Sequence, residues 1–359
     1  MQEKISEKTF EGQSIYVGID VHKKDWKVTI MTAELSYKTF SAVPIAEKLN
    51  AYLRSNFPGA TYYSAYEAGF SGFWLHKELT NLGINSIVVN PADIPTTDKE
   101  RKQKEDLRDS RKIADNLRAG QLKRIYVPKE PVLHDRMLLR SRHALVKDLN
   151  RSKNRIKSML FFLGINLPDR FSSRGSGWSK PLVKWLEELS FEYPSAKGSL
   201  DAHLGQVRHL RSSVLKVTRQ IKELAKTKEY QQNVTLLISM PGIGLLTAMT
   251  LLTELEDISR FETFENLCSY VGLVPSTSSS GDNEIDTGIT PRKNARLRSA
   301  LIESAWVAIR NDPALLSSYQ HLIKRMPGNR AIVRIAKKLL RRLTYVLRNK
   351  SCYERGIVK

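Results

Sequence analysis

The chain is poor in cysteine: Cys268 and Cys352 are its two, far apart in sequence. That excludes a disulfide framework and a four-cysteine zinc site, and suits a reducing compartment. It has no apolar run long enough to span a bilayer. The opening MQEKISEKTF lacks the apolar stretch of a signal peptide. These absences predict a cytoplasmic protein with no membrane partner. Acid is also scarce: 37 Asp and Glu stand against 58 Lys and Arg, a net charge of +21 over 359 residues. Such an excess points to a polyanionic partner, nucleic acid first. A basic but otherwise ordinary protein, such as a ribosome-associated factor, is the plainer alternative.

Within this basic chain, four acids stand out: Asp20 in YVGID, Glu67 in YEAGF, and Asp106 and Asp109 in KEDLRDSRK. SIYVGID and TYYSAYE each read as a strand ending in an acid, so neighbouring strands can present both at one sheet edge. Asp106 and Asp109 are three apart at a helix start, where one turn places them on a common face. Gathered carboxylates repel one another unless cations lie between them. Magnesium takes oxygen ligands, and two such ions shield a phosphate during phosphodiester chemistry. Singly, each acid reads as a surface charge or a cap, and Asp109 before SRKIAD is a candidate N-cap.

Residues 14–126 read as α/β. WKVTIM and LSYKTFSAV continue the strands, Pro44 to Arg54 and FWLHKELTNLG read as helices, and INSIVVNP is a strand stopped by Pro91. A helix over Asp109 to Leu122 follows. This order suits a mixed sheet of the ribonuclease-H kind. Residues 1–13 read as a flexible N-terminus. Residues 127–233 begin with a linker, VPKEPVLHD. They continue as a basic helix over Arg136 to Leu163, a polar loop around DRFSSRGSGWSK, and a second long helix. On that helix Val207, Leu210, Val214, Val217, Ile221 and Leu224 form a short heptad seam. The seam fits either two antiparallel helices of one chain or a dimer stalk.

Residues 234–359 are predicted mainly helical. PGIG, from Pro241 to Gly244, joins two apolar helices like the hairpin of a helix-hairpin-helix. Gly242 and Gly244 could let backbone N–H groups approach a phosphate, or could simply permit close packing. A Ser-rich loop, STSSSG, follows GLVP. A serine hydroxyl can attack phosphorus when metals and arginines hold the phosphate, and Arg292, Arg296 and Arg298 are close in sequence for that task. ARLRSALIESAWVAIR places Leu297, Leu301, Ala305 and Ile309 on one face. The last helix, Ala331 to Lys350, sets Ile332, Ile335, Leu339, Leu343 and Val346 against Arg334, Lys337, Lys338, Arg341, Arg342 and Arg348.

Taken together, YVGIDVHK, YEAG, the DxxD helix, MPGIG, YVGLVPSTSSSG and GITPRKNARLRSALIESAW resemble the bridge-RNA-guided insertion-sequence transposases. The resemblance is dense over residues 14–126 and 234–310. It implies a RuvC-like N-terminal domain holding magnesium or manganese on Asp20, Glu67, Asp106 and Asp109. It also implies a C-terminal transposase domain whose nucleophile, before the glycine of an SG pair, is Ser280, with Ser278 and Ser279 beside it. The implied partners are donor and target DNA, a structured guide RNA that pairs with both, and further copies of the chain as dimer or tetramer. The implied active site is composite, with acids and serine from different subunits, acting in a prokaryotic cytoplasm on nucleoid DNA. The chain departs from the family pattern at Ser110, where DxxDA has alanine, and at Pro291 and Lys293 after GIT. Two other functions fit the residues: a hydrolytic, Holliday-junction-resolvase-like endonuclease, and a non-catalytic RNA- and DNA-binding protein.

Overall fold

The computed structural model describes residues 9–34, 36–95, 106–172, 178–280 and 283–356; the side chains of residues 36, 37, 106–108, 172 and 276–288 lie outside the described ones. The chain divides into two compact units, residues 1–127 and 128–359.

The first unit is built on a five-stranded mixed sheet of order β3-β2-β1-β4-β5. Its strands are β1 (Ser14–Val21), β2 (Trp26–Met31), β3 (Ser36–Ala42), β4 (Thr61–Glu67) and β5 (Asn85–Val89). β1, β2 and β3 run as an antiparallel meander, while β4 and β5 join parallel to β1. Alternation sorts the faces. Ile15, Val17 and Ile19 of β1 face α1 (Ala46–Asn56) and α2 (Trp74–Asn81), where Leu49, Leu53, Leu75 and Leu79 complete a closed core. The opposite face is covered by α3 (Asp106–Arg118), whose Ile113 joins Ala65, Val89 and Ile94. α3 already includes Asp106, three residues before the start that the sequence pattern predicts. Asp109 therefore lies inside the helix and is not its N-cap.

The regular structure of the second unit is helical apart from one hairpin, among the described residues. α4 (Glu130–Phe162) starts inside the expected linker, because Pro131 is tolerated in a first turn that needs no intrahelical donor. α5 (Asp169–Ser172) and α6 (Lys180–Glu188) flank the polar loop; the N-cap Ser179 accepts from Leu182 N–H. α7 (Pro194–Leu224) packs antiparallel on α4. The seam is closed within the chain: Val207 and Ile221 are buried, and Leu210, Val214, Val217 and Leu224 pack against the cores. α8 (Gln231–Ile238), α9 (Leu245–Leu255) and α10 (Phe264–Val271) follow.

The Ser-rich segment is not a loop. It forms a hairpin of β6 (Pro275–Ser280) and β7 (Asn283–Ile289), paired antiparallel with Ser278 opposite Ile285 and Ser280 opposite Asn283. α11 (Ala295–Asn311), α12 (Pro313–Ile323) and α13 (Gly328–Asn349) complete the unit. α13 is a core element as well as a basic one, with Ile332, Ile335, Leu339, Leu340 and Leu343 buried. Several of its cations are engaged internally: Arg342 Nη1 bonds Asp312 at 3.1 Å and Arg341 lies over the Phe264 ring at 4.5 Å.

Candidate active site

Asp20 and Glu67 come together through strand register. Ile19 pairs with Tyr66 across the parallel β1–β4 contact, so Asp20 and Glu67 occupy the next position on the two adjacent strands. Both fall on the face covered by α3, at the carboxyl edge of the sheet. Gly18, two residues before Asp20, is what lets α3 lie on that face. A Cβ built on Gly18 would overlap the Ser110 carbonyl oxygen and the Ala114 nitrogen, and would stand 3.0 Å from the Ala114 Cα. The residue next to Asp109 in α3 is therefore in backbone contact with the strand position two before Asp20.

Ser110, buried beneath α3, hydrogen-bonds Thr29 at 2.9 Å, and Thr29 in turn meets Thr39 at 2.9 Å. Gly18, Thr29 and Thr39 lie in one row across β1, β2 and β3. The serine that departs from DxxDA is thus accommodated by a polar row under the helix. His22 Nε2 donates to Asp20 Oδ2 at 3.0 Å, and both side chains are partly exposed. Neither Gly18 nor His22 stood out from sequence. The signals available were a glycine inside a β-branched run and a histidine two residues past the acid.

The carboxylate set of Asp20, Glu67 and Asp109 has the hard oxygen chemistry that suits a divalent cation. Among the described residues, no three His, Cys, Asp or Glu side chains converge as a metal cage. Asp106 opens α3, but its side chain lies outside the described residues.

In the second unit, Ser280 ends β6 and pairs with Asn283; its side chain, those of Ser278 and Ser279, and Gly281 lie outside the described residues. The base of the hairpin is well defined. Arg298 Nη1 donates to Gly272 O at 3.1 Å and Thr290 O at 2.8 Å, tying the two ends together. Burial pulls the Arg298 guanidinium down from its ordinary value. Gly272 has φ +85°, and a side chain there would strike Lys293, so the Pro291–Lys293 turn is pressed on a position only glycine fits.

A buried carboxylate anchors the same region. Glu254, 1% exposed, receives Arg140 through two bonds of 2.8 and 2.9 Å and Asn294 Nδ2 at 2.9 Å. Asn294 is also the N-cap of α11, accepting from Leu297 N–H. Burial alone would push the Glu254 carboxyl up. The hydrogen bonds from Arg140 and Asn294 and the charges of Arg140 and Arg136 outweigh it and hold the carboxyl below its ordinary value. This network was not evident from sequence, because its members are 114 and 40 residues apart.

Gly242 has φ +82°, and a Cβ there would overlap the Ser304 carbonyl oxygen and stand 3.2 Å from Ala308 N. Close packing on α11 thus accounts for this glycine. Gly244, the exposed N-cap of α9, faces open space. Arg292 is exposed, and Arg296 is half-buried with a buried Nε that finds no partner. Burial lifts the Cys268 thiol to about 11, so it is no nucleophile. No described helix is long and apolar enough to cross a membrane.

Two family models match the chain. The DEDD domain of the IS110 type, described as Transposase, matches residues 17–163, and Transposase IS116/IS110/IS902 family matches residues 234–320. Protein y4qE of Sinorhizobium fredii, named as a transposase, is 32% identical over 68% of this chain, which spans 58% of that relative. Protein y4rJ of the same organism, also named as a transposase, is 27% identical over 91% of this chain and 90% of its own length. The transposase for insertion sequence element IS1533 of Leptospira borgpetersenii is 25% identical over 82% of this chain and 85% of its own. With the acid-bearing and serine-bearing segments matched in order, the chain belongs to the IS110/IS116 family of insertion-sequence transposases.

Proposed function

We propose that the protein recombines DNA by a serine-based strand exchange, guided by a structured RNA that pairs with donor and target. The observation that carries this reading is the placement of Asp20 and Glu67 on adjacent parallel strands, with the helix of Asp106 and Asp109 pressed onto the same face at Gly18. Divalent ions, magnesium or manganese, held by these four acids would neutralise charge on the scissile phosphate. The chain's own chemistry lies with the hydroxyl of Ser280. Its oxygen forms a bond to phosphorus, the bond to one DNA oxygen breaks, and that oxygen leaves as a hydroxyl. Attack by a second strand's hydroxyl on the phosphoserine reverses the step, so the phosphodiester energy is conserved and no nucleotide is consumed.

The hairpin favours this role for the serine, because its base is locked by Arg298 while Ser280 stands at the far end of β6. We also propose homo-oligomers in which the acids of one copy serve the serine of another. The exposed cations of α4 and α13 fit nucleic-acid backbones, and binding should weaken with salt. The test is cleavage of element-end DNA with the element's RNA and magnesium, comparing wild type with Asp20→Asn. Cleavage that persists undiminished in Asp20→Asn contradicts the role of the acids.

A further inference from the structure

Among the described residues of the first unit, four of the five large apolar side chains left exposed gather at one place, Tyr126 at 38% being the fifth. Val43 is 52% exposed, Ile45 39%, Phe70 67% and Trp74 45%. Strand register puts all four at the sheet edge that carries Asp20 and Glu67. Val21 of β1 pairs with Trp26 of β2, and Trp26 with Ala42 of β3, so Val43 and Ile45 leave the sheet at the end where β1 leaves it. β4 runs parallel to β1 and ends at Glu67, three residues before Phe70. Trp74 rests on Trp26, ring centroids 6.1 Å apart.

Phe70 is held outward by a fixed loop. Ala68 N–H bonds Val89 O at 2.8 Å, and Ser71 is buried. The Tyr66 hydroxyl donates to Gly72 O at 3.0 Å and accepts from His76 N–H at 3.3 Å. Burial raises Tyr66 to about 12, which keeps it a donor. Displaying an aromatic ring on a braced loop forgoes burial that would otherwise stabilise the fold. The acids face the α3 side of the edge and Trp74 the α2 side. A strand draped over the edge therefore meets carboxylates with its phosphate and aromatic surface with its base.

We infer that the rim of Phe70 and Trp74 is a stacking platform for an unpaired nucleobase beside the phosphate at the Asp20–Glu67 edge. The net charge of +21 points to a polyanionic occupant, nucleic acid first. An aromatic platform stacks any base, so the rim confers unpairing without sequence preference. This rests on the proposal that the edge handles a nucleic-acid phosphate.

The experiment uses the full chain and a thymidine 12-mer carrying one 5-iododeoxyuridine, in EDTA so that no strand is cut. Binding by Phe70→Ala should be roughly 5- to 100-fold weaker than wild type, with Phe70→Tyr restoring it. Photocrosslinks should map to Phe70 or Trp74. Duplex binding should change little. Unchanged 12-mer affinity in Phe70→Ala, with crosslinks elsewhere, overturns the platform while leaving the nuclease reading intact. Loss of self-association in Phe70→Ala, without loss of 12-mer binding, makes the rim a contact between copies and also overturns it. If wild type binds neither 12-mer nor duplex, the nucleic-acid reading of the edge fails and the platform falls with it.

Discussion

Gly18 of β1 touches the backbone of Ser110 in α3 so closely that a single methyl group cannot be placed between them. The helix that bears two of the four acids is thereby seated two residues from a third. The proposed catalytic geometry depends on the absence of a side chain, and that gives a direct prediction. Gly18→Ala should cost about 1–3 kcal/mol by overpacking. It should also reduce metal-dependent cleavage further than the loss of folded protein explains. Thermal denaturation beside cleavage rates separates the two effects.

Ser110→Ala should be mild. It removes the buried hydrogen bond to Thr29 while Thr29 keeps Thr39, a loss of about 0.5–1.5 kcal/mol for that bond. Ser110→Val adds bulk and leaves Thr29 without that partner, so it should destabilise more. Urea unfolding of both variants checks the order.

Glu254→Ala removes the carboxylate that pairs with buried Arg136 and with the partly exposed Arg140, and should cost about 1–3 kcal/mol. The pH dependence follows from the depressed carboxyl. The folded Glu254 titrates below its ordinary value of 4.5, so its contribution is complete above that pH and is lost as pH falls through the folded value. Wild type should lose stability steeply below about pH 4.5, with a shallower slope in Glu254→Gln. Equal slopes in denaturant titrations between pH 3 and 6 would contradict the assignment.

Arg298→Ala should uncouple Gly272 from Thr290 and loosen the base of the hairpin. DNA affinity should hold, while the rate of protein–DNA adduct formation falls at least tenfold. If Arg298 instead grips phosphate, affinity falls first and its salt dependence becomes shallower.

Much of this was legible in the sequence where periodicity is local. YVGID and TYYSAYE read as strands closed by acids because alternation and a terminal carboxylate are visible within seven residues. The pattern over Leu297, Leu301, Ala305 and Ile309 gave the buried face of α11. The hairpin was hidden because STSSSG looks like solvated linker until paired with NEIDTGI, which supplies the partner strand. The early start of α4 was hidden by its prolines, which mark linkers as readily as first turns. Sequence shows the charge of Arg298 but not the two carbonyls that its Nη1 ties. The Glu254 network could not be read because it joins distant segments.

The most direct measurement concerns Ser280. Wild-type protein should be incubated with element-end DNA, the element's RNA and magnesium, quenched in denaturant, digested and examined by fragment-ion mass spectrometry. The account predicts a nucleotide joined through phosphate to Ser280, absent in Ser280→Ala. Cleaved DNA with no protein adduct, or an adduct on Ser278 or Ser279 that survives Ser280→Ala, would contradict it.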